Sequence, residues 1–130
     1  MMLRFSFILL LFLNSCNSST SDNIKYISIS DYILSLSEDA ELIDVRTPTE
    51  FDSGHIQDAV NIDFFSESFQ SDILSLNKDS KIILYCRTNN RSSKSADLLK
   101  NNGFKDISVI MGGVSEWVKN GNDIVYPKSD

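Results

Sequence analysis

The sequence predicts an α/β domain in which a small parallel sheet of five strands has helices on both faces. From Ile24 onward, short apolar runs alternate with segments of helical character, which is the pattern of consecutive βαβ units. The chain has 130 residues, of which 42% are hydrophobic, so it is long enough to bury one core without a disulfide or a metal ion. The sequence contains no internal repeat, and we predict one folded domain.

The strands are expected at short runs of aliphatic and aromatic residues with polar residues at both ends. The most strand-like run is Lys81 to Tyr85, with the sequence KIILY, and Ile24 to Ser28 is a candidate edge strand. In chain order, the predicted strands cover residues 24–28, 41–45, 59–62, 81–85 and 107–111.

The helices are expected where capping residues precede amphipathic segments. Ser30 is a suitable N-cap for the first helix. The stretch Thr47-Pro48-Thr49-Glu50 has the capping-box pattern, with proline at the first position of the second helix. In the fourth helix, Ala96 and Leu99 share one face, and Gly103 ends the helix. In chain order, the predicted helices cover residues 30–36, 48–54, 66–76, 92–101 and 114–119.

The first fifteen residues, Met1 to Ser15, have the character of a signal peptide. Arg4 supplies a positive charge, and Phe5 to Leu13 is an apolar run that is too short to cross a bilayer as a stable helix. The following Leu13-Asn14-Ser15-Cys16 resembles the lipobox of bacterial lipoproteins, which implies a lipid on Cys16 and cleavage before it. The alternative is an ordinary secretory signal or a short anchor in which Cys16 has no role.

These features divide the chain into four parts. We predict a lipoprotein signal peptide over residues 1–15, a lipidated cysteine with a polar tether over 16–23, the folded domain over 24–121 and a C-terminal tail over 122–130. The expected location is the cell envelope, where the exported protein is anchored by its lipid on the periplasmic side of a bacterial membrane.

Composition and charge exclude several classes of function. The formal net charge is −6, and phosphate binding needs a basic surface, so we predict no nucleic-acid partner. One histidine and two cysteines cannot form a structural zinc site. We therefore predict no metal and no cofactor, and nothing in the sequence requires more than a monomer.

Cys86 ends the most strand-like run and precedes a predicted helix. In parallel α/β sheets, sites form where the carboxyl end of a strand meets the next helix N-terminus. Backbone N–H groups and the helix dipole there, together with Arg87 and Arg91, stabilise a thiolate and would bind an anion. We predict that Cys86 is a nucleophile and that the loop after it binds the substrate. The predicted substrate-binding residues are Arg87, Thr88, Asn89, Asn90, Arg91 and Ser92. The alternatives are a small buried hydrophobic cysteine and solvated surface arginines.

At this point the sequence resembles the single-domain rhodaneses, which are sulfurtransferases. The resemblance implies that a donor such as thiosulfate or a persulfide transfers sulfur to Cys86, and that cyanide or a thiol accepts it. A thioredoxin-like protein is one such thiol acceptor. The resemblance covers residues 25–121 and rests on Asp44-Val45-Arg46, Glu50-Phe51, Gly54-His55-Ile56, Ala59 with Asn61, the loop from Cys86 to Arg91, and Gly112-Gly113-Val114 with Trp117.

The loop departs from the family pattern at one position. The family loop commonly reads C-R-x-G-x-R-S, and Asn89 replaces the glycine. Asparagine tolerates positive φ if the loop requires it, so the departure affects the expected rate or choice of donor more than the mechanism. Related cysteine phosphatases have one more residue in this loop; only four residues separate Cys86 from Arg91, which favours sulfur chemistry.

Two other functions stay open from the sequence. One is a non-catalytic rhodanese module that binds a partner, and the other is a thiol-redox or sulfur-carrier role with external thiols, because the chain has no C-x-x-C motif. We expect a structural role for the single histidine, His55, and an ion pair between Asp44 and Arg46. Trp117 is expected in the core, and Ser92 is expected to satisfy N–H groups at the start of its helix or to contact substrate.

Overall fold

The computed structural model describes residues 23–36 and 38–128. The predicted signal peptide, Cys16 and the tether up to residue 22 lie outside the described residues. In chain order, the elements are β1 (Lys25–Ile27), α1 (Ile29–Leu34), β2 (Glu41–Asp44), α2 (Pro48–Asp52), β3 (Val60–Asn61), α3 (Phe69–Leu74), β4 (Lys81–Tyr85), α4 (Asn90–Asn101), β5 (Asp106–Ile110) and α5 (Gly113–Lys119).

The five strands form one sheet in the order β1-β5-β4-β2-β3. All four pairs of neighbouring strands are parallel, which confirms the predicted α/β fold. In the central pairing of β2 with β4, Asp44 lies beside Tyr85. The carboxyl ends of these two neighbouring strands therefore meet at the same edge of the sheet, so Val45 and Cys86, which follow them, lie close together.

Helices cover both faces of the sheet and bury a separate core on each side. Side chains alternate along a strand, so Ile82, Leu84 and Cys86 join one core with residues of α3 and α4. Ile83 and Tyr85 join the other core with residues of α1 and α5. This double burial explains why β4 is apolar along its length. The predicted faces of the helices are also confirmed: Ala96 and Leu99 lie in the first core and Trp117 in the second.

Three helices begin earlier than the sequence predicted, α5 by one residue at Gly113, whereas α3 begins later, at Phe69. Ser28, and not Ser30, caps α1: its hydroxyl accepts the N–H of Asp31 at 3.1 Å, and the Asp31 side chain accepts the Ser28 N–H. Ser28 has an acidic residue three positions later to complete the capping box, whereas Ser30 is followed there by Ile33. Helix α4 begins at Asn90 rather than Ser92. The capping box of α2 is confirmed.

The segment predicted as a C-terminal tail packs against the domain. Val125 and His55 exchange two backbone hydrogen bonds of 2.8 and 2.9 Å, and the Trp117 indole donates to the Asp123 carbonyl at 2.7 Å. Among the residues that the structure describes, no helix is both long enough and apolar enough to span a membrane.

Candidate active site

Cys86 lies directly after β4, and only 1% of the residue is exposed. Its Sγ is 3.3 Å from the Ser92 hydroxyl oxygen, and that hydroxyl also donates to the Asn89 carbonyl at 3.2 Å. With a neutral thiol, the S–H can donate to Ser92 while Ser92 donates to Asn89. With a thiolate, the Ser92 proton can turn to the sulfur instead. Ser92 therefore contacts the Cys86 sulfur and does not act as the helix N-cap, a position that Asn89 occupies.

The Cys86 loop, residues 86–91, is held against the first turn of α5 through its carbonyl groups. The N–H groups of Val114 and Ser115 donate to the carbonyls of Cys86 and Arg87 at 2.9 and 3.1 Å. Gly113 makes this close approach possible, because a Cβ at that position would overlap the Cys86 carbonyl oxygen. The carbonyls of the first two loop residues therefore face α5.

The N–H groups of the same loop have no acceptor among the residues that the structure describes. Within the described part of the chain, none of the backbone N–H groups of residues 87–92 donates a hydrogen bond. Ser93 is the first residue of this stretch whose N–H has an acceptor, the Asn89 carbonyl at 2.9 Å. Consecutive unpaired N–H groups at a helix N-terminus can stabilise a thiolate, a persulfide or a bound oxyanion.

Asn89, the residue that departs from the family pattern, stabilises the loop through its side chain. Its φ is −139°, so the loop of this protein does not use positive φ at that position. Its Oδ1 accepts the N–H of Gly112 at 2.9 Å, which adds a third link between the Cys86 loop and the segment that begins α5. A glycine at position 89 could not make this link.

Arg91 is engaged by Glu50 and does not point freely into the loop. Its Nη1 and Nη2 donate to the two carboxylate oxygens at 2.6 and 2.9 Å, and its guanidinium lies 5.6 Å from the centre of the Phe65 ring. The hydrogen bonds from Arg91 lower the pKa of Glu50 to about 2. Glu50 also accepts the Thr47 N–H at 2.9 Å. Arg91 therefore links the start of α4 to the start of α2, and its role toward substrate stays a prediction.

Arg87, in contrast, is exposed and forms no salt bridge with any residue in the described part of the chain. It lines an open pocket of about 500 Å³ beside the loop, together with apolar side chains that include Val114 and Val118. Thr88 and Asn90 are also exposed. Of the two loop arginines, Arg87 is thus the one with a guanidinium available to an anionic substrate.

The expected ion pair between Asp44 and Arg46 is confirmed, and both residues are buried. Arg46 Nη2 is 2.6 Å from Asp44 Oδ2 and also donates to the Gly54 carbonyl at 2.8 Å. Asn61 donates its amide to the carbonyls of both Asp44 and Arg46. Tyr85 completes the cluster: burial, together with the nearby Asp44 carboxylate, raises its pKa. This network joins the ends of β2, β3 and β4.

His55 is held by neighbours other than the thiol, as expected for a structural residue. Its Nδ1 lies 3.1 Å from the Phe51 carbonyl, and its ring stacks on Phe51 with centroids 3.7 Å apart. Among the described residues, no group of three or more histidine, cysteine or carboxylate side chains could hold a metal ion.

Two functional contacts were not predicted from the sequence. The pairing of Arg91 with Glu50 joins residues 41 positions apart, and the contact of Asn89 with Gly112 joins residues 23 positions apart. Glu50 stood out as a member of a local capping box and of the motifs that carry the resemblance to the rhodaneses. Membership of a motif marks Glu50 as a residue of interest, but it does not identify a partner that is distant in the sequence.

Comparison with known proteins connects this geometry to a family. The family described as Rhodanese-like domain matches residues 30–120. A protein of Allochromatium vinosum named Sulfurtransferase is 31% identical over 91 residues, which are 70% of this chain and 83% of that protein. The crystal structure of a rhodanese-related protein from Thermoplasma volcanium superposes with a TM-score of 0.69 at 26% identity, covering 78% of this chain and 97% of the other.

Other relatives are considerably longer. The tRNA uridine(34) hydroxylase of Escherichia coli is 34% identical over 93 residues, or 68% of this chain. The matched region is only 27% of the length of that enzyme. The likeness therefore concerns only part of the larger protein.

Proposed function

This chain belongs to the family of rhodanese-like domains, and from that premise we propose that it is a sulfurtransferase in which Cys86 holds the transferred sulfur as a persulfide. One observation supports this proposal above the others. The thiol lies at the carboxyl end of the central strand, beside a loop whose N–H groups from residue 87 to residue 92 are unpaired in the described part of the chain.

The proposed reaction has two transfers. In the first, the Cys86 thiolate attacks the outer sulfur of thiosulfate, the S–S bond of the donor breaks, and sulfite leaves with the bonding electron pair. The product is a persulfide with one negative charge on its terminal sulfur. In the second, cyanide or an acceptor thiolate attacks that sulfur, the persulfide bond breaks, and Cys86 is released as a thiolate. No external oxidant or reductant is needed with thiosulfate and cyanide.

The residues around Cys86 suit the charges that this reaction creates. Charge-assisted hydrogen bonds from backbone N–H groups stabilise the terminal sulfur, because the donors are already fixed in place before the reaction. The Ser92 hydroxyl supports the thiolate form of Cys86 from 3.3 Å. Arg87 supplies a positive charge for a small anionic donor on the surface of a protein whose net charge is −6.

The first experiment tests sulfur transfer directly. The purified protein and its Cys86→Ser variant are incubated with thiosulfate, and intact mass is recorded before and after addition of cyanide, with thiocyanate measured in parallel. We expect one added sulfur atom, which disappears with cyanide and is absent from the variant. A folded protein that gains no sulfur and forms no thiocyanate would refute the proposal. A mixed disulfide without turnover would instead support the redox alternative.

The role of Arg87 can be tested against a charge-matched control. Arg87→Ala is expected to raise the KM for thiosulfate about three- to tenfold, as expected for the loss of about 0.7–1.4 kcal/mol of donor binding. Lys94→Ala removes the same charge from an exposed position on α4, and we expect little change in KM. Equal KM changes in both variants would show that only net charge matters and would contradict a specific role for Arg87.

We further propose that the protein is anchored to a bacterial membrane through a lipid on Cys16. This proposal rests on the resemblance to the lipobox of bacterial lipoproteins. Stable attachment to a membrane needs more than one acyl chain. Cys16→Ser is expected to give a soluble or unprocessed protein in membrane fractionation. A variant that is cleaved and still wholly membrane-bound would refute the lipid anchor.

A further inference from the structure

A second pocket lies on the face of the sheet opposite the core that contains Cys86. It has a volume of about 440 Å³ and opens between α1, α5 and the loop that follows α2. That volume is in the range of small-molecule sites. Its apolar wall includes Leu42, Ile56 and Ile83, with two aromatic residues, Tyr32 and Trp117. No residue of the Cys86 loop lines it.

Tyr32 contributes an aromatic ring with a hydroxyl group to the lining of this pocket. Only 4% of the residue is exposed. Among the described residues, none forms a hydrogen bond with its hydroxyl. The Trp117 indole lies edge-on to Tyr32, with centroids 5.9 Å apart. Its N–H is already used by the Asp123 carbonyl.

The charged groups of the pocket are all acidic. Glu38, Asp58 and Asp123 line it, and no lysine, arginine or histidine does. Glu38 forms a salt bridge with Lys81. Asp58 and Asp123 form none with the residues described by the structure. The Asp58 carboxylate is close enough to add to the effect of burial in raising the pKa of Tyr32.

We propose that this pocket binds a small organic ammonium ion with an apolar body. The apolar body of the ligand would contact Ile56 and the rings of Tyr32 and Trp117. The faces of aromatic rings also attract a positive charge. The ammonium group would lie beside Asp58 and Asp123 and donate to the Tyr32 hydroxyl. An anionic ligand is disfavoured, because it would face two carboxylates without a compensating cation. The site is separate from Cys86 and does not depend on sulfur transfer.

Trp117 provides the measurement, because it is the only tryptophan in the chain. The purified protein is titrated with phenethylammonium, and with 2-phenylethanol as an uncharged probe of the same shape, while tryptophan fluorescence is recorded. We expect a saturable change with the amine and at least tenfold weaker binding of the alcohol. Equal affinity for both probes, or no saturable binding of the amine, would overturn the proposal.

Two variants locate the bound cation. Asp58 has a φ of 65°, a conformation that asparagine tolerates, so Asp58→Asn removes the charge while keeping the backbone. It is expected to weaken amine binding about three- to tenfold, as for one exposed ion pair with a hydrogen bond. Tyr32→Phe should weaken it as well. Asp97→Asn, at an exposed position on α4, is the charge-matched control.

The outcomes separate this site from the proposed activity. If Asp58→Asn and Asp97→Asn reduce amine affinity equally, the cation responds only to net charge and the proposed site is wrong. Cys86→Ser is expected to leave amine affinity unchanged, and a large loss of affinity in that variant would also contradict a separate site. If the protein proves to have no sulfurtransferase activity, the titration curves expected for the amine and the alcohol do not change.

Discussion

Replacing Glu50 with glutamine is expected to destabilise the protein through the loss of its pairing with Arg91. A carboxyl whose pKa falls from 4.5 to about 2 on folding would contribute about 3.4 kcal/mol at neutral pH if the full shift were effective. The Glu50 side chain is 32% exposed, and solvent screens such a pair. Glutamine can also keep the hydrogen bond from Thr47. We therefore expect a loss of about 1–2 kcal/mol for Glu50→Gln.

The pH dependence of this loss identifies its origin. Because the folded pKa of Glu50 lies below the unfolded value, its contribution is fully present above about pH 4.5 and disappears as the pH falls toward about 2. The difference in unfolding free energy between the wild type and Glu50→Gln should therefore be largest at pH 7 and should shrink steadily below pH 4.5.

The assay is urea unfolding followed by the fluorescence of Trp117, at several pH values between 7 and 3. Glu67→Gln is the matched control, because Glu67 is exposed and has no salt bridge among the described residues. We expect less than about 0.5 kcal/mol from this surface change. A difference for Glu50→Gln that does not vary between pH 7 and pH 3 would refute the reasoning. So would equal losses in the two variants.

Two further changes test how the Cys86 loop is supported. Gly113→Ala places a Cβ against the Cys86 carbonyl oxygen at a φ of 56°, and we expect a loss of about 2–4 kcal/mol in unfolding free energy. Gly121→Ala, at a φ of 79° with open space around it, should cost less than half as much, and equal losses would contradict the packing argument. Asn89→Ala removes the acceptor of the Gly112 N–H and should cost about 1 kcal/mol. It should also slow persulfide formation at saturating thiosulfate, whereas an unchanged rate would show that this hydrogen bond does not position the loop.

The features that could be predicted from the sequence are those that depend on short stretches of chain. Strand β4 was predicted with the bounds that it has, because five consecutive apolar or amphipathic residues between polar ones indicate a strand buried on both faces. The α2 cap was predicted because Thr47 and Glu50 are three residues apart. The position of Cys86 followed from the same local evidence, since it comes directly after β4.

Local evidence was insufficient where the same short segment allows two structural interpretations. Both Ser28 and Ser30 are suitable N-caps for α1. The choice depends on whether the Asp31 side chain accepts a hydrogen bond from the N-cap backbone and completes a capping box. From the sequence, asparagine at position 89 was accounted for only by its tolerance of positive φ. The structure gives a different account, because φ is −139° and Oδ1 accepts the N–H of Gly112.

The sequence by itself determined the fold class, through the alternation of strand-like and helix-like segments, and the central strand, through a short apolar run. It also singled out Cys86, the proposed nucleophile, because this residue directly follows that strand. Tertiary structure alone decided what surrounds that cysteine. It paired Arg91 with Glu50 and left Arg87 exposed, and it brought Gly113 against the Cys86 carbonyl. The physical reason is that side-chain partners are chosen by packing across the sheet edge, where residues 23 to 41 positions apart become neighbours, and no local pattern records such distances.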